Sequence, residues 1–165
     1  MKEIKGKIHK YGNDINTDVI IPTKFCNSTD MHYLGKHCFA NLDEGFADKC
    51  KKGDVLLVGE NFGCGSSREN APLAIKGAGV ACIIGKSFAR IFYRNAINIG
   101  LPLIVDDALY DHFSDGNNIS INFEENFCIN TDTEEKFNIP PYPSDILEIF
   151  LHGGLVQFIK DGGMQ

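Results

Sequence analysis

Three short runs of almost unbroken apolar residues, separated by stretches of helical period, constrain this chain more than any other feature. They are Asp54-Val55-Leu56-Leu57-Val58-Gly59, Val80-Ala81-Cys82-Ile83-Ile84 and Leu101-Pro102-Leu103-Ile104-Val105. A strand that is apolar at nearly every position must be buried on both faces, the condition of a parallel sheet covered by helices. The intervening segments supply those helices. One runs through Ala74-Ile75-Lys76, and another runs from Ser87 to about Asn98 with Phe88, Ile91, Phe92 and Ile99 on one side. Strand alternating with helix predicts an α/β core.

The flanking segments read differently. Ile4-Lys5-Gly6-Lys7-Ile8-His9 alternates with period two and predicts a strand, and Asp18-Val19-Ile20-Ile21 predicts a second one stopped by Pro22. Residues 29–52 turn helical: Thr29 and Asp30 are candidate caps, Leu34, Cys38 and Phe39 share a face, and Gly45 divides the stretch. Alternation at residues 119–123, 127–129 and 137–139 predicts a small antiparallel meander. Ser144 is the expected cap of a last helix ended by Gly153-Gly154, and residues 160–163 are expected to fray. Without internal repeats or linkers, residues 1–165 are expected to form a single domain.

Composition narrows the function. A net charge of -6, without a stripe of Lys and Arg, gives no electrostatic reason to bind nucleic acid or an anionic membrane. The N-terminal Met1-Lys2-Glu3-Ile4-Lys5 lacks the apolar core of a signal peptide, and no apolar run has the length of a membrane span. A cytoplasmic location is therefore expected, with the six cysteines as thiols. The nearest of these cysteines are twelve residues apart, so no C-x-x-C pair presets a zinc or iron–sulfur site, and no metal is expected within the chain.

Chemistry concentrates in Gly59-Glu60-Asn61-Phe62-Gly63-Cys64-Gly65-Ser66-Ser67-Arg68-Glu69, between a strand and a helix, where α/β folds bind ligands. Gly63 and Gly65 permit a sharp turn and a close backbone approach. The start of the following helix favours an anion, and Arg68 offers a planar fork matched to a carboxylate. A second reading stands beside this one: Ser66-x-x-Glu69 fits a capping box, with Pro72 in the first turn. A phosphate loop fits less well, because the Walker lysine and the G-x-G-x-x-G spacing are absent. A serine hydrolase would need a distant base from among His9, His32, His37, His112 and His152.

This loop resembles the signature loop of the aconitase and isopropylmalate dehydratase family. Three further blocks agree: Asp14-Ile15-Asn16-Thr17-Asp18-Val19-Ile20-Ile21-Pro22, Ala71-Pro72-Leu73-Ala74-Ile75-Lys76, and residues 86–102, beginning Lys86-Ser87-Phe88-Ala89-Arg90. The resemblance implies an aconitase-type swivelling β/β/α domain, with a mixed sheet and flanking helices. It also implies a separate large subunit that carries a [4Fe–4S] cluster, so that this chain holds no cofactor itself. The implied reaction isomerises a 2-hydroxy acid to its 3-hydroxy isomer by loss and return of water. Ser66 would be the base, Ser67 and Arg68 would hold a substrate carboxylate, and Asp18 would face the same site. Without the resemblance, Asp18 reads as a turn or cap residue.

Two departures stand out. Position 70 is Asn where the family commonly shows His. The segment Lys24-Phe25-Cys26-Asn27-Ser28 replaces a substrate-selecting stretch in which tricarboxylate-processing relatives carry an arginine. Asn27 falls at that arginine's place. An unpaired buried carboxylate is costly, so its absence favours an alkyl-substituted malate, although Lys24 offers another cation. The implied substrate is 2-isopropylmalate, with 2,3-dimethylmalate and citramalate as alternatives within the class. A stand-alone carboxylate- or phosphate-binding module is the alternative outside it. Arg90 and Arg94, four residues apart, either share a face toward the site or are solvated, and Ser87 and Asn95 stand alike.

Overall fold

A computed structural model describes residues 3–66 and 68–163. Seven strands form one mixed sheet in the order β4-β3-β2-β1-β5-β6-β7. Strand β1 (Glu3–Lys10) pairs parallel with β2 (Val55–Val58), β2 with β3 (Cys82–Gly85), and β3 with β4 (Leu103–Val105). On its other side β1 pairs antiparallel with β5 (Asn118–Asn122), which continues through β6 (Phe127–Asn130) to β7 (Glu135–Asn138). The apolar runs become the parallel half and the alternating ones the meander.

The period of two along each strand divides the core. Leu56, Val58, Ile83 and Leu103 point to one side, while Val55, Leu57, Cys82, Ile84 and Ile104 point to the other. The first side is covered by α2 (Met31–Lys36), α4 (Asn70–Gly77) and α5 (Arg90–Asn98), which contribute Leu34, Ala74, Ile75, Phe92 and Ala96. The second side is closed by the meander curling back, through Ile119, Ile121, Phe123 and Cys128. Residues on β2 and β3 are thus buried on both faces, which is why their sequence does not alternate.

Several elements depart from expectation. Residues 18–22 do not form a strand. Thr17–Ile20 makes a one-turn helix, α1, whose cap Asn16 accepts a hydrogen bond from the Val19 N–H at 3.0 Å. Ile20 and Ile21 are both fully buried, which a half-buried strand could not achieve because it sends neighbours to opposite faces. A 3-10 turn at Thr23–Phe25 follows Pro22. Asp30 caps α2, as expected, by accepting from the His32 N–H, and Gly45, at φ +99°, opens the short α3 (Phe46–Lys49). Pro143, not Ser144, is the cap of α6 (Ser144–Leu151), and no side-chain bond is made there. The chain then enters a helix that the sequence did not announce, α7 (Leu155–Lys160). Its end is tied down: the Asp161 carboxylate lies 2.7 Å from His152 Nδ1, and the Gly163 N–H donates to the Phe158 carbonyl.

Candidate active site

The loop between β2 and α4 is stitched to its neighbours on both sides. The Gly63 N–H donates to the Ile15 carbonyl at 2.8 Å, and the Thr17 N–H donates to the Cys64 carbonyl at 2.9 Å. On the opposite side, the Phe62 N–H donates to Ser87 O and the Ala89 N–H to Phe62 O, while the Asn61 N–H donates to Ser87 Oγ at 2.7 Å. These bonds bring the starts of α1 and α5 against the loop. Gly63 and Gly65 carry φ of +83° and +95°, the left-handed region in which glycine is favoured.

Ser66 stands exposed at the turn. Thr17 is buried; its hydroxyl donates to the Ser66 carbonyl at 2.9 Å and lies 3.5 Å from Ser66 Oγ. Arg68 uses all three guanidinium nitrogens. Nε donates to Ser66 Oγ at 3.1 Å, NH1 to Thr23 Oγ1 at 3.0 Å and Cys26 Sγ at 3.5 Å, and NH2 meets Asp18 Oδ1 at 2.9 Å. The Asp18 side chain is 58% exposed and that of Arg68 25%. Asn70, the first residue of α4, donates from Nδ2 to the Cys26 carbonyl at 2.9 Å. A cleft of about 220 Å³ opens beside them, bordered by Thr17, Ser66, Arg68, Arg90, Ile91 and Asn95.

The structure thus brings Asp18, Ser66, Arg68 and Cys26 together. Ser67 lies outside the described residues. Lys24 is exposed, with its ammonium 5.2 Å from the Phe25 ring, and Phe25 stacks on His37 at 3.9 Å. Asn27 is exposed, and Ser28 Oγ accepts from the Asp30 N–H. Arg90 and Asn95 border the cleft, whereas Arg94 is exposed elsewhere on α5.

The capping-box reading is corrected. Glu69 is itself the cap of α4 and makes no side-chain cap bond, and the Ser66 hydroxyl is engaged by Thr17 and Arg68 instead. For the hydrolase reading no base is seen in place: among the described residues none of the five histidines bonds Ser66. His9 is on Asp54, His37 on Phe25, His112 on Phe137 and His152 on Asp161, while His32 is exposed. Sequence reading missed Thr17 and Thr23 because a hydroxyl that supports another side chain through space leaves no local pattern.

The cleft and its surround gather hydroxyls, guanidinium groups and one exposed carboxylate. These donors do not suit an iron–sulfur cluster, which is held by thiolates. Among the described residues, three metal-type donors do gather elsewhere, at His9, Cys50 and Asp54, all buried. They form a structural knot: Asp54 accepts from His9 Nε2 at 2.8 Å, from the Lys51 N–H at 3.0 Å and from the Lys7 N–H at 3.1 Å.

Comparison with known proteins identifies the family. The model of the aconitase C-terminal domain matches residues 2–108. The chain belongs to that family. Its relatives include the 3-isopropylmalate dehydratase small subunit of Caldanaerobacter subterraneus, 49% identical over 96% of this chain and 98% of that protein. Small subunit 1 of the same enzyme from Methanopyrus kandleri is 48% identical over 97% of this chain and 94% of its own length. A crystal structure of 3-isopropylmalate dehydratase from Methanocaldococcus jannaschii superposes with a TM-score of 0.90 at 44% identity, covering 97% of this chain and 95% of that one. Mixed sheet, flanking helices and family agree, as the sequence predicted.

Proposed function

We propose that this chain, as one domain of 165 residues, is the cluster-free small subunit of a hydro-lyase that isomerises 2-isopropylmalate to 3-isopropylmalate. The observation that carries the reading is the Arg68 fork, which joins Ser66 Oγ to a carboxylate through one guanidinium. The names of the relatives supply the enzyme class.

In this reading Ser66 removes the proton from the carbon adjacent to the one that bears the hydroxyl. The electron pair left behind forms the double bond as the hydroxyl departs. When bound in a partner large subunit, a [4Fe–4S] cluster supplies Lewis acidity to that departure. A serine is a base only when its hydroxyl proton has been given up, and a cation that donates to Oγ favours that form. Arg68 Nε stands 3.1 Å away in that position, and Thr17 fixes the serine backbone. In the second half the hydroxyl of water adds to the carbon that lost the proton, and Ser66 delivers its proton to the carbon that lost the hydroxyl.

Asp18 marks where the substrate carboxylate goes. An ion pair this exposed contributes only about 0–1 kcal/mol, so a ligand carboxylate can take the place of Asp18 on Arg68 at little cost. Ser67 shares that carboxylate with Arg68. The segment from Lys24 to Ser28, with no arginine at position 27, faces an alkyl substituent rather than a third carboxylate. The work is done in the reducing cytoplasm, where six free cysteines remain thiols.

The test is reconstitution with a cluster-bearing large subunit, followed by the absorbance of the unsaturated acid. Ser66→Ala should lower kcat by about 10²–10⁴-fold, the usual contribution of a positioned base. Arg68→Lys should raise KM, because the fork is lost. Full turnover by the Ser66→Ala complex would refute the assignment. A preference for 2,3-dimethylmalate or citramalate would keep the chemistry and change the substrate.

A further inference from the structure

Asn70 lies one residue beyond the loop that carries Ser66 and Arg68, and its side-chain amide donates to the Cys26 carbonyl at 2.9 Å. That carbonyl belongs to the peptide leading into Asn27. It follows a 3-10 turn held by two local backbone bonds, from the Phe25 N–H to Pro22 O and from the Cys26 N–H to Thr23 O, and by the Cys26 thiol, which donates to the Ile21 and Pro22 carbonyls at 3.9 and 3.6 Å. Beyond Cys26, Asn27 and Thr29 are exposed and Ser28 is half-buried. Among the described residues, the local bond between Ser28 Oγ and the Asp30 N–H is all that is made there. The entrance of the segment is fixed by Arg68 on Thr23 Oγ1 and Cys26 Sγ, and by Phe25 stacked on His37. Its exit depends on Asn70. Only the amide nitrogen can face a carbonyl oxygen, so the bond has one orientation.

We propose that Asn70 is a positioning residue for substrate selection: its amide fixes the Cys26–Asn27 peptide, and with it the wall that the alkyl substituent of the malate meets. The proposal rests on the proposed function, since a carboxylate on Arg68 brings the rest of the ligand beside the segment that shares the same guanidinium. A single α4–loop unit thus sets proton transfer through Ser66, carboxylate binding through Arg68 and the shape of the alkyl pocket through Asn70. The bond ties the Asn70 side chain at the start of α4 to the backbone of Cys26, next to Asn27.

Two measurements test it on Asn70→Ala, Asn70→Asp and Asn70→Gln. The first needs no turnover: hydrogen exchange of the two bonded amides that flank the peptide, those of Cys26 and Asp30, in the full free chain. Loss of one neutral hydrogen bond should speed exchange by about 5-fold in the Ala and Asp variants. Gln keeps the donor and should return it toward wild type. The second uses the complex with the large subunit. The ratio of kcat/KM for 2-isopropylmalate to that for citramalate should change by about 5-fold through KM, with kcat on the better substrate within about twofold. Unchanged exchange in the Ala and Asp variants would overturn the anchor. Faster exchange with an unchanged ratio, or an equal loss of kcat on both substrates, would overturn the role in selection. If the wild-type complex processed neither malate, the proposed function would fall, while the exchange arm would still decide whether Asn70 holds the segment.

Discussion

A methyl group built on Gly63 would lie 2.3 Å from Phe92 Cγ, and the backbone there carries φ +83°. Both facts oppose any side chain: the conformation costs an ordinary residue about 1–3 kcal/mol, and the aromatic ring is buried in the core. Gly12 has nothing within 4 Å of its missing Cβ and no left-handed φ. Gly63→Ala should therefore lower stability by more than about 2 kcal/mol, and Gly12→Ala should change it by less than about 1 kcal/mol. Urea unfolding of the two variants measures the contrast; equal midpoints would mean that the loop relaxes freely. The same glycine lets the backbone pass beneath α5 and delivers Ser66 to the cleft, so its absent side chain is part of the site.

Helix α1 shows how little of a one-turn element is written in periodicity. Val19-Ile20-Ile21 is a β-branched run, and such runs favour strands. What overrules it is Asn16, whose side chain caps the turn, together with the bonds that lock Thr17 to Cys64. Asn16→Ala should cost about 1 kcal/mol of stability, while Asn16→Ser or Asn16→Asp should retain most of it, as read by chemical unfolding. The capping box at Ser66 and Glu69 failed for the converse reason: Ser66 finds partners outside its own helix. The parallel strands were legible because burial on both faces leaves no polar positions, and the meander because burial on one face leaves alternation. Ser66 and Arg68 were legible because their loop is dense in glycines and hydroxyls. The contacts of Arg68 with Asp18 and Thr23 join distant parts of the chain, and no local pattern encodes them. Helix α7 follows two glycines, which end a helix more clearly than they announce the next.

At the scale of the whole molecule, buried and bonded ionisable groups set the pH range of stability. Burial pushes the Asp54 carboxyl up, but hydrogen bonds from the Lys51 N–H, His9 and the Lys7 N–H outweigh it and leave the group below the usual carboxylate range. Asp43 behaves alike, with burial outweighed by Lys49 and Tyr11. The Asn118 side chain and N–H lower Asp132, and His152 and Gln157 lower Asp161. In each case the unfolded chain, with a carboxyl near about 3.9, takes up the proton first. The stabilisation is therefore present above about pH 4 and is lost as pH falls through the folded values. The alkaline side has the opposite cause. Burial raises the thiols of Cys38 and Cys82, and pushes those of Cys50 and Cys128 up to about 12. An unfolded thiol ionises near about pH 8.5, so the stability held by these neutral thiols is complete below that pH and is lost as pH rises toward the folded values. The urea midpoint should be flat from about pH 5 to 8 and fall on both sides. Replacing Asp54 with Asn should flatten the acid limb, and replacing Cys82 with Ala the alkaline one, each at some cost in stability at pH 7. If the acid limb kept its full slope in the Asp54→Asn variant, the knot of His9, Lys7 and Lys51 would not be what holds the carboxylate charged.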